Sequence, residues 1–315
     1  MAAMENDSFW SSRVVIVAGK GGVGKTTVTA ALAKTASRAG MSVLVVEVEG
    51  KSGLAAAFDK PPLTYVEIDL APGIRARTLT PDEALIEYLE DNGLRRISRR
   101  LARSGALDVV ATAVPGMQDI LVLGKVKQLE RRGVADLILI DAPAAGHAIT
   151  FLLSARGVLD AVRVGPLRRQ AVEVVELLSD PARCQVLLVT TPEETPVNEL
   201  IETAFSVEDR AGVALGPVVV NGTYPPLDVE VSVEAIRKDA DLLDVFVSDR
   251  EAEHLLDAAR FRIEREAVQR RQIERLARRL PLPQLELPFV FSADIGPDEI
   301  DRLADALAGG IETLA

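Results

Sequence analysis

Along the chain, short and nearly unbroken apolar runs alternate with longer stretches in which apolar residues return every three or four positions. The short runs are Val14 to Ala18, Val43 to Val48, Leu137 to Ile140, Val186 to Thr190 and Val218 to Val220. A run with no polar alternate cannot keep one face in water, so each predicts a strand covered on both faces, as in a parallel sheet between helical layers. The intervening helices are predicted at Ala30 to Ala39, after Pro166, from Pro196 to Ser206 and from Pro297 to Ala308. Strand and helix in alternation define an α/β fold with a doubly wound, mostly parallel sheet. Pro281 and Pro283 stop a helical pattern, and Leu285 to Phe291 then predicts a late strand.

Two spans break the alternation, about 81–132 and about 232–280, and both carry charges at helical spacing. They predict helical insertions within a single domain of residues 13–315, preceded by a flexible stretch, 1–12. In the first, Leu94, Ile97 and Leu101 share one face while Arg95, Arg96, Arg99, Arg100 and Arg103 fill the others, an amphipathic helix with a basic side. In the second, Leu256, Ala259, Ile263 and Ala267 form a stripe that Ile273, Leu276 and Leu280 continue, a packing surface.

Composition narrows the class. Hydrophobic residues make up 48% and charged residues 26% of the 315, so the chain can build a core. The net charge of −11 opposes the phosphate backbone, so nucleic acid is not the expected partner. Cys184 is the single cysteine, which excludes an intrachain disulfide and any metal site built from several thiolates. With no leader-like start and no apolar run near the roughly 18 residues that span a bilayer, the expected location is the cytoplasm.

The chemistry is announced right after the first strand, by Gly19-Lys20-Gly21-Gly22-Val23-Gly24-Lys25-Thr26-Thr27. This fits G-x-x-x-x-G-K-[ST] between a strand and a helix, the setting in which glycines let backbone N–H groups cradle phosphate and the helix adds the positive end of its dipole. Lys25 is expected on the β- and γ-phosphates and the Thr26 hydroxyl on Mg²⁺. Asp141, at the carboxyl end of a core strand, is placed to hold a water of that ion. Glu47, two residues before Glu49, is either a group in the outer shell of the ion or a strand-end charge. Lys20 has no task in its own loop, where Lys25 already supplies the charge.

A loop with that extra lysine resembles the deviant Walker A of the signature-lysine ATPases, in which the lysine reaches the partner subunit's nucleotide much as an arginine finger does. Asp141-Ala142-Pro143-Ala144-Ala145-Gly146-His147-Ala148-Ile149-Thr150-Phe151-Leu152 is similar to the switch II pattern of the ArsA-like branch. Further along, Leu178-Ser179-Asp180-Pro181, Thr190-Thr191-Pro192-Glu193-Glu194 and Asn198-Glu199 are similar to later segments of the same branch. The likeness runs from about residue 13 to 310 and is strongest to the short, single-copy actinobacterial ATPases labelled as anion transporters. It implies that Asn221 recognises adenine, that Pro288 and Phe289 pack on the base, and that Mg²⁺ and ATP are cofactor and substrate. It also implies a homodimer, or a heterodimer with a related ATPase, that serves a client protein or a membrane partner from a place in the cytoplasm or at the membrane periphery.

Departures from the pattern matter too. Where the family has the aspartate of D-P-A-H to orient the attacking water, this chain has Glu49 in Glu49-Gly50-Lys51-Ser52. The added methylene moves the carboxylate by about an ångström, a shift that can cost on the order of a hundredfold in rate. Slow hydrolysis is therefore expected, with Lys20, Lys25, Glu49 and Asp141 as the catalytic set. The alternative is a hydrolytically weak regulatory subunit paired with a competent relative; a small-molecule kinase would leave Lys20 without a role. The paired cysteines of the targeting subunits and the arsenite-binding cysteine triads are absent, which argues against arsenite as cargo. His147 and His254 are expected as a switch residue and a helix-surface residue.

Overall fold

The computed structural model describes residues 9–48, 53–91, 93, 96, 98, 116–227 and 232–314. Five strands stand where the apolar runs predict them: β1 (Val14–Gly19), β2 (Val43–Val48), β5 (Leu137–Ala144), β6 (Cys184–Thr190) and β8 (Val218–Thr223). The late strand is β9 (Gln284–Pro288). An antiparallel hairpin of β3 (Ile68–Ala71) and β4 (Ile74–Leu79), and the two-residue β7 (Ala214–Leu215), complete the sheet. Its order is β3-β4-β2-β5-β1-β6-β8-β9, with β7 beside β6. Apart from the β3–β4 pair, every pairing is parallel.

Two apolar layers enclose it. Against one face pack α1 (Lys25–Arg38), the short α2 (Gly53–Ala56) and α10 (Pro297–Leu314), through Val28, Leu32 and Ala36, through Leu54, and through Ile300, Leu303, Leu307 and Ile311. Against the other lie α4 (Met117–Arg132), α5 (Ala145–Ala161), α6 (Pro166–Ser179) and α7 (Glu194–Phe205). α4 brings Ile120, Leu123, Val126 and Leu129 into this core, so the end of span 81–132 covers the sheet. That span opens with α3 (Pro81–Asp91); the basic pattern at 94–103 falls outside the described residues except for Arg96 and Ser98. Residues 9–12, within the stretch expected to be flexible, are packed: Phe9 is buried, and the Ser12 hydroxyl donates to the Pro181 carbonyl at 2.5 Å.

Span 232–280 contains α8 (Val233–Leu242) and the long α9 (Asp249–Arg279), whose Ser248 and Glu251 form a reciprocal capping box. The far end of α9 is anchored by Ile273 and Leu276 in the main core. From β1 the chain crosses past β5 to β2, whereas from β5 it crosses past β1 to β6. The direction of winding reverses beside β1, and ligands of such sheets bind outside the strand ends at that point.

Candidate functional site

At the carboxyl end of β1, Gly19 and Gly24 are required by what surrounds them. A Cβ on Gly19 would lie 2.3 Å from the Val189 carbonyl oxygen of the neighbouring strand. Gly24 has φ +86°, and a Cβ there would lie 2.3 Å from Nδ2 of Asn221. Gly24 caps α1 with no side-chain hydrogen bond, and the first turn holds no acid, so the positive end of the helix is left to the loop. A cavity of about 320 Å³ opens there, lined by Gly21, Gly22, Gly24, Lys25, Thr26, Glu47, Val48, Asp141, Ala142 and Pro143. Val23 is buried beneath the loop and Thr27 is half-buried behind it.

Lys25 folds over its own loop, its Nζ donating to the Lys20 carbonyl at 3.0 Å. The Thr26 hydroxyl donates to Oδ2 of Asp141 at 2.7 Å, joining α1 to β5. Register sets Glu47 of β2 beside Asp141 of β5 on one side and beside Thr78 of β4 on the other. Glu47 and Asp141 are 2% and 7% exposed, so neither is a solvated strand-end charge. Thr26, Asp141 and Glu47 offer hard oxygen donors, the chemistry that Mg²⁺ takes. Among the described residues, Oε1 of Glu47 is buried with no hydrogen-bond partner, an acceptor suited to a cation.

Burial, and next the charge of Asp141, push the Glu47 carboxyl up to about 7 from 4.5, against the hydrogen bond from Thr78. A carboxyl raised in this way binds its proton more tightly in the folded chain. The stability it contributes is complete below the unfolded value and is lost as pH climbs through the folded one. In metal-free protein, the wild type is therefore expected to lose melting temperature relative to Glu47→Gln as pH rises from about 5 to about 8. Parallel melting curves across that range would show that Glu47 is ionised throughout.

Lys20 points away from Lys25. Its Nζ lies 2.6 Å from Oε1 of Glu199 on α7, with the two side chains 38% and 40% exposed. One residue earlier, Asn198 accepts a hydrogen bond from Arg275 of α9, and Glu193 lies 3.5 Å from Arg265. At the opposite rim, Nδ2 of Asn221 donates to the Val23 carbonyl at 2.9 Å, so the residue expected to read the base also braces the phosphate loop. Pro288 pairs with Thr223 across β8 and β9, and the Phe289 amide donates to the Thr223 carbonyl at 2.8 Å.

Beside Phe289 stand residues that sequence reading missed. The Phe289 ring meets Tyr224 edge-on at 5.2 Å and Phe291 at 4.8 Å, and the Arg262 guanidinium lies 4.4 Å over Tyr224. Aromatics are only 4% of the chain, yet Tyr224, Phe289 and Phe291 gather here, an association that only the fold reveals. Glu49 lies outside the described residues. His147 and His254 are exposed. Cys184 is fully buried and its thiol is pushed up to about 12 by burial, which makes it an inert core residue.

A glycine loop between β1 and α1, a threonine bonded to a strand-end aspartate and a mostly parallel sheet define a P-loop nucleotide-binding protein. The sequence matches the ArsA family, described as anion-transporting ATPase, over residues 12–164. ATPase BagA of Mycobacterium tuberculosis is 34% identical over 321 aligned residues, 94% of this chain and 92% of that protein. A putative arsenical pump-driving ATPase of Halobacterium salinarum is 27% identical over 237, 68% of this chain and 36% of that one. ATPase get3 of Schizosaccharomyces japonicus is 30% identical over 145, 45% of this chain and 44% of its own. The chain belongs to the ArsA family of ATPases.

Proposed function

We propose that the protein binds Mg²⁺ and ATP at the phosphate loop and hydrolyses the nucleotide slowly, as one half of a dimeric switch whose cycle is coupled to a client protein or a membrane partner. The observation that carries this reading is the division of labour between two lysines. Lys25 lies over the cavity of its own loop, while Lys20, five residues earlier, faces outward in an ion pair at the surface. In this reading Lys20 leaves Glu199 to serve a nucleotide held by another chain.

In this reading the loop N–H groups and Lys25 hold the β- and γ-phosphates, and Asn221, Pro288 and Phe289 hold the base. Thr26 would hold Mg²⁺ directly and Asp141 through one of its waters, and the ion when bound neutralises phosphate charge. Glu49 orients the water that attacks the γ-phosphorus, releasing ADP and phosphate. Among the described residues no helix is long and apolar enough to cross a membrane. The lone cysteine supports a reducing location such as the cytoplasm and disfavours a thiophilic cargo.

Glu49 supports a second reading, a weakly hydrolytic subunit that regulates a competent relative. Single-turnover hydrolysis by the isolated chain separates the two. Glu49→Asp is expected to raise the rate, by up to on the order of a hundredfold, and Glu49→Gln to lower it and trap ATP. Equal rates in all three chains would make Glu49 a structural acid. No turnover in either carboxylate form would favour the regulatory subunit.

A further inference from the structure

We infer that Glu47 is a second carboxylate ligand of a divalent cation, and that Glu47, Asp141 and Thr26 bind this ion before any nucleotide arrives. The inference rests on the reading of the cavity as the Mg²⁺-ATP site and adds to it a residue and an order of binding. A phosphate loop can hold its cation with one hydroxyl and one acid because the nucleotide's own phosphates complete the shell. Such a pair is a poor cation site while the nucleotide is away.

This chain has more. The strands β2 and β5 run parallel with Glu47 and Asp141 as register partners, so the two carboxylates leave the sheet on one face, side by side. Both line the same cavity as Thr26. Glu47 is 2% exposed, and its Oε2 accepts from the Thr78 hydroxyl at 3.3 Å. Its Oε1 has no partner among the described residues. A buried carboxylate oxygen left this way is costly unless it meets a cation or an added donor. Three oxygens from two strands and a helix make a hard donor set with room for water, which suits Mg²⁺ or Mn²⁺ in octahedral coordination.

The test uses the full chain, freed of nucleotide and metal and titrated with Mn²⁺, with free Mn²⁺ followed by its electron paramagnetic resonance signal. One Mn²⁺ per chain is expected without nucleotide, displaced by excess Mg²⁺. Glu47→Gln should weaken that binding at least tenfold. If Glu47→Gln melts early, Glu47→Asp withdraws the carboxylate by one methylene and should weaken Mn²⁺ severalfold in a folded protein. Binding of Mn²⁺-ATP is measured alongside. A wild type that takes Mn²⁺ only together with ATP overturns the inference and leaves the nucleotide site standing. Equal Mn²⁺ affinity in wild type and both variants also overturns it. A chain that binds neither Mn²⁺ nor ATP overturns the inference and the reading beneath it together.

Discussion

Lys25→Ala is expected to weaken ATP binding by about tenfold to a hundredfold, the loss that corresponds to roughly 1.5–3 kcal/mol for a hydrogen bond to a charged group. The fold should tolerate the change. Lys25 opens α1, where alanine is an excellent helix former, and its Nζ donates to a half-buried loop carbonyl at 3.0 Å. In the apo chain that bond only parks the ammonium over the cavity. Once phosphate is present, the same group exchanges a neutral acceptor for charged oxygens, so the effect falls on affinity and hardly on stability. Calorimetric titration with Mg²⁺-ATP measures it, with a thermal melt as control. Equal affinity in the two chains would remove the phosphate-loop assignment.

Lys20→Ala should behave differently. ATP binding by the isolated chain should stay within a few-fold of wild type, while hydrolysis and ATP-dependent association are lost. A finger of this kind is worth about 10³ or more in rate where its effect has been isolated. The ion pair that now engages Lys20 is weak enough to exchange. With Lys20 and Glu199 both about 40% exposed, it contributes about 0–1 kcal/mol. A charged hydrogen bond to phosphate is worth about 1.5–3 kcal/mol, so transfer of the lysine to a nucleotide across an interface is downhill. Repulsion between two chains of charge −11 opposes that approach and weakens with salt. Light scattering with a non-hydrolysable ATP analogue at moderate ionic strength reads the association, and phosphate release reads the chemistry. If Lys20→Ala hydrolyses ATP normally as a monomer, the trans-acting lysine is wrong. Glu199→Gln supplies the converse, since releasing Lys20 should lower the analogue concentration needed for association.

Much of this was legible from the residues, for a physical reason. Buried parallel strands need apolar side chains on both faces, and such runs stand out against charged helices, so β1, β2, β5, β6 and β8 and the loop after β1 were plain. The hairpin β3–β4 was not, because Arg75 and Arg77 make it look like exposed coil. Their charges are accommodated only by the tertiary fold: Arg75 bonds Glu67 at 2.7 Å, and Arg77 lies 4.1 Å over the ring of Tyr65. Within the site, the loop glycines, Lys25, Thr26 and Asp141 could be found by spacing alone. The burial of Glu47 could not, since it follows from which residue of β5 stands beside it. Nor could the pairing of Lys20 with Glu199, 179 positions away in sequence. The aromatic group around Phe289 joins β8, β9 and α9, and only the folded chain brings it together.

The way α9 is mounted has a mechanical consequence. Gln269 clamps it to the strand end just past Asn221, accepting from the Tyr224 amide at 2.8 Å and donating to the Gly222 carbonyl at 3.0 Å. Arg275, a turn and a half further on, holds Asn198 beside the glutamate that engages Lys20. Both the base rim and the lysine therefore bear on the same end of a stiff rod. Beyond Arg262, which donates to the Pro225 carbonyl at 2.9 Å, the rod runs about 20 Å to Asp249 at 1.5 Å per residue, so a pivot of about 5° would sweep its tip through about 2 Å. Motions too small to disturb the packed sheet become, at the far end of the lever, a stroke the size of an atom's radius.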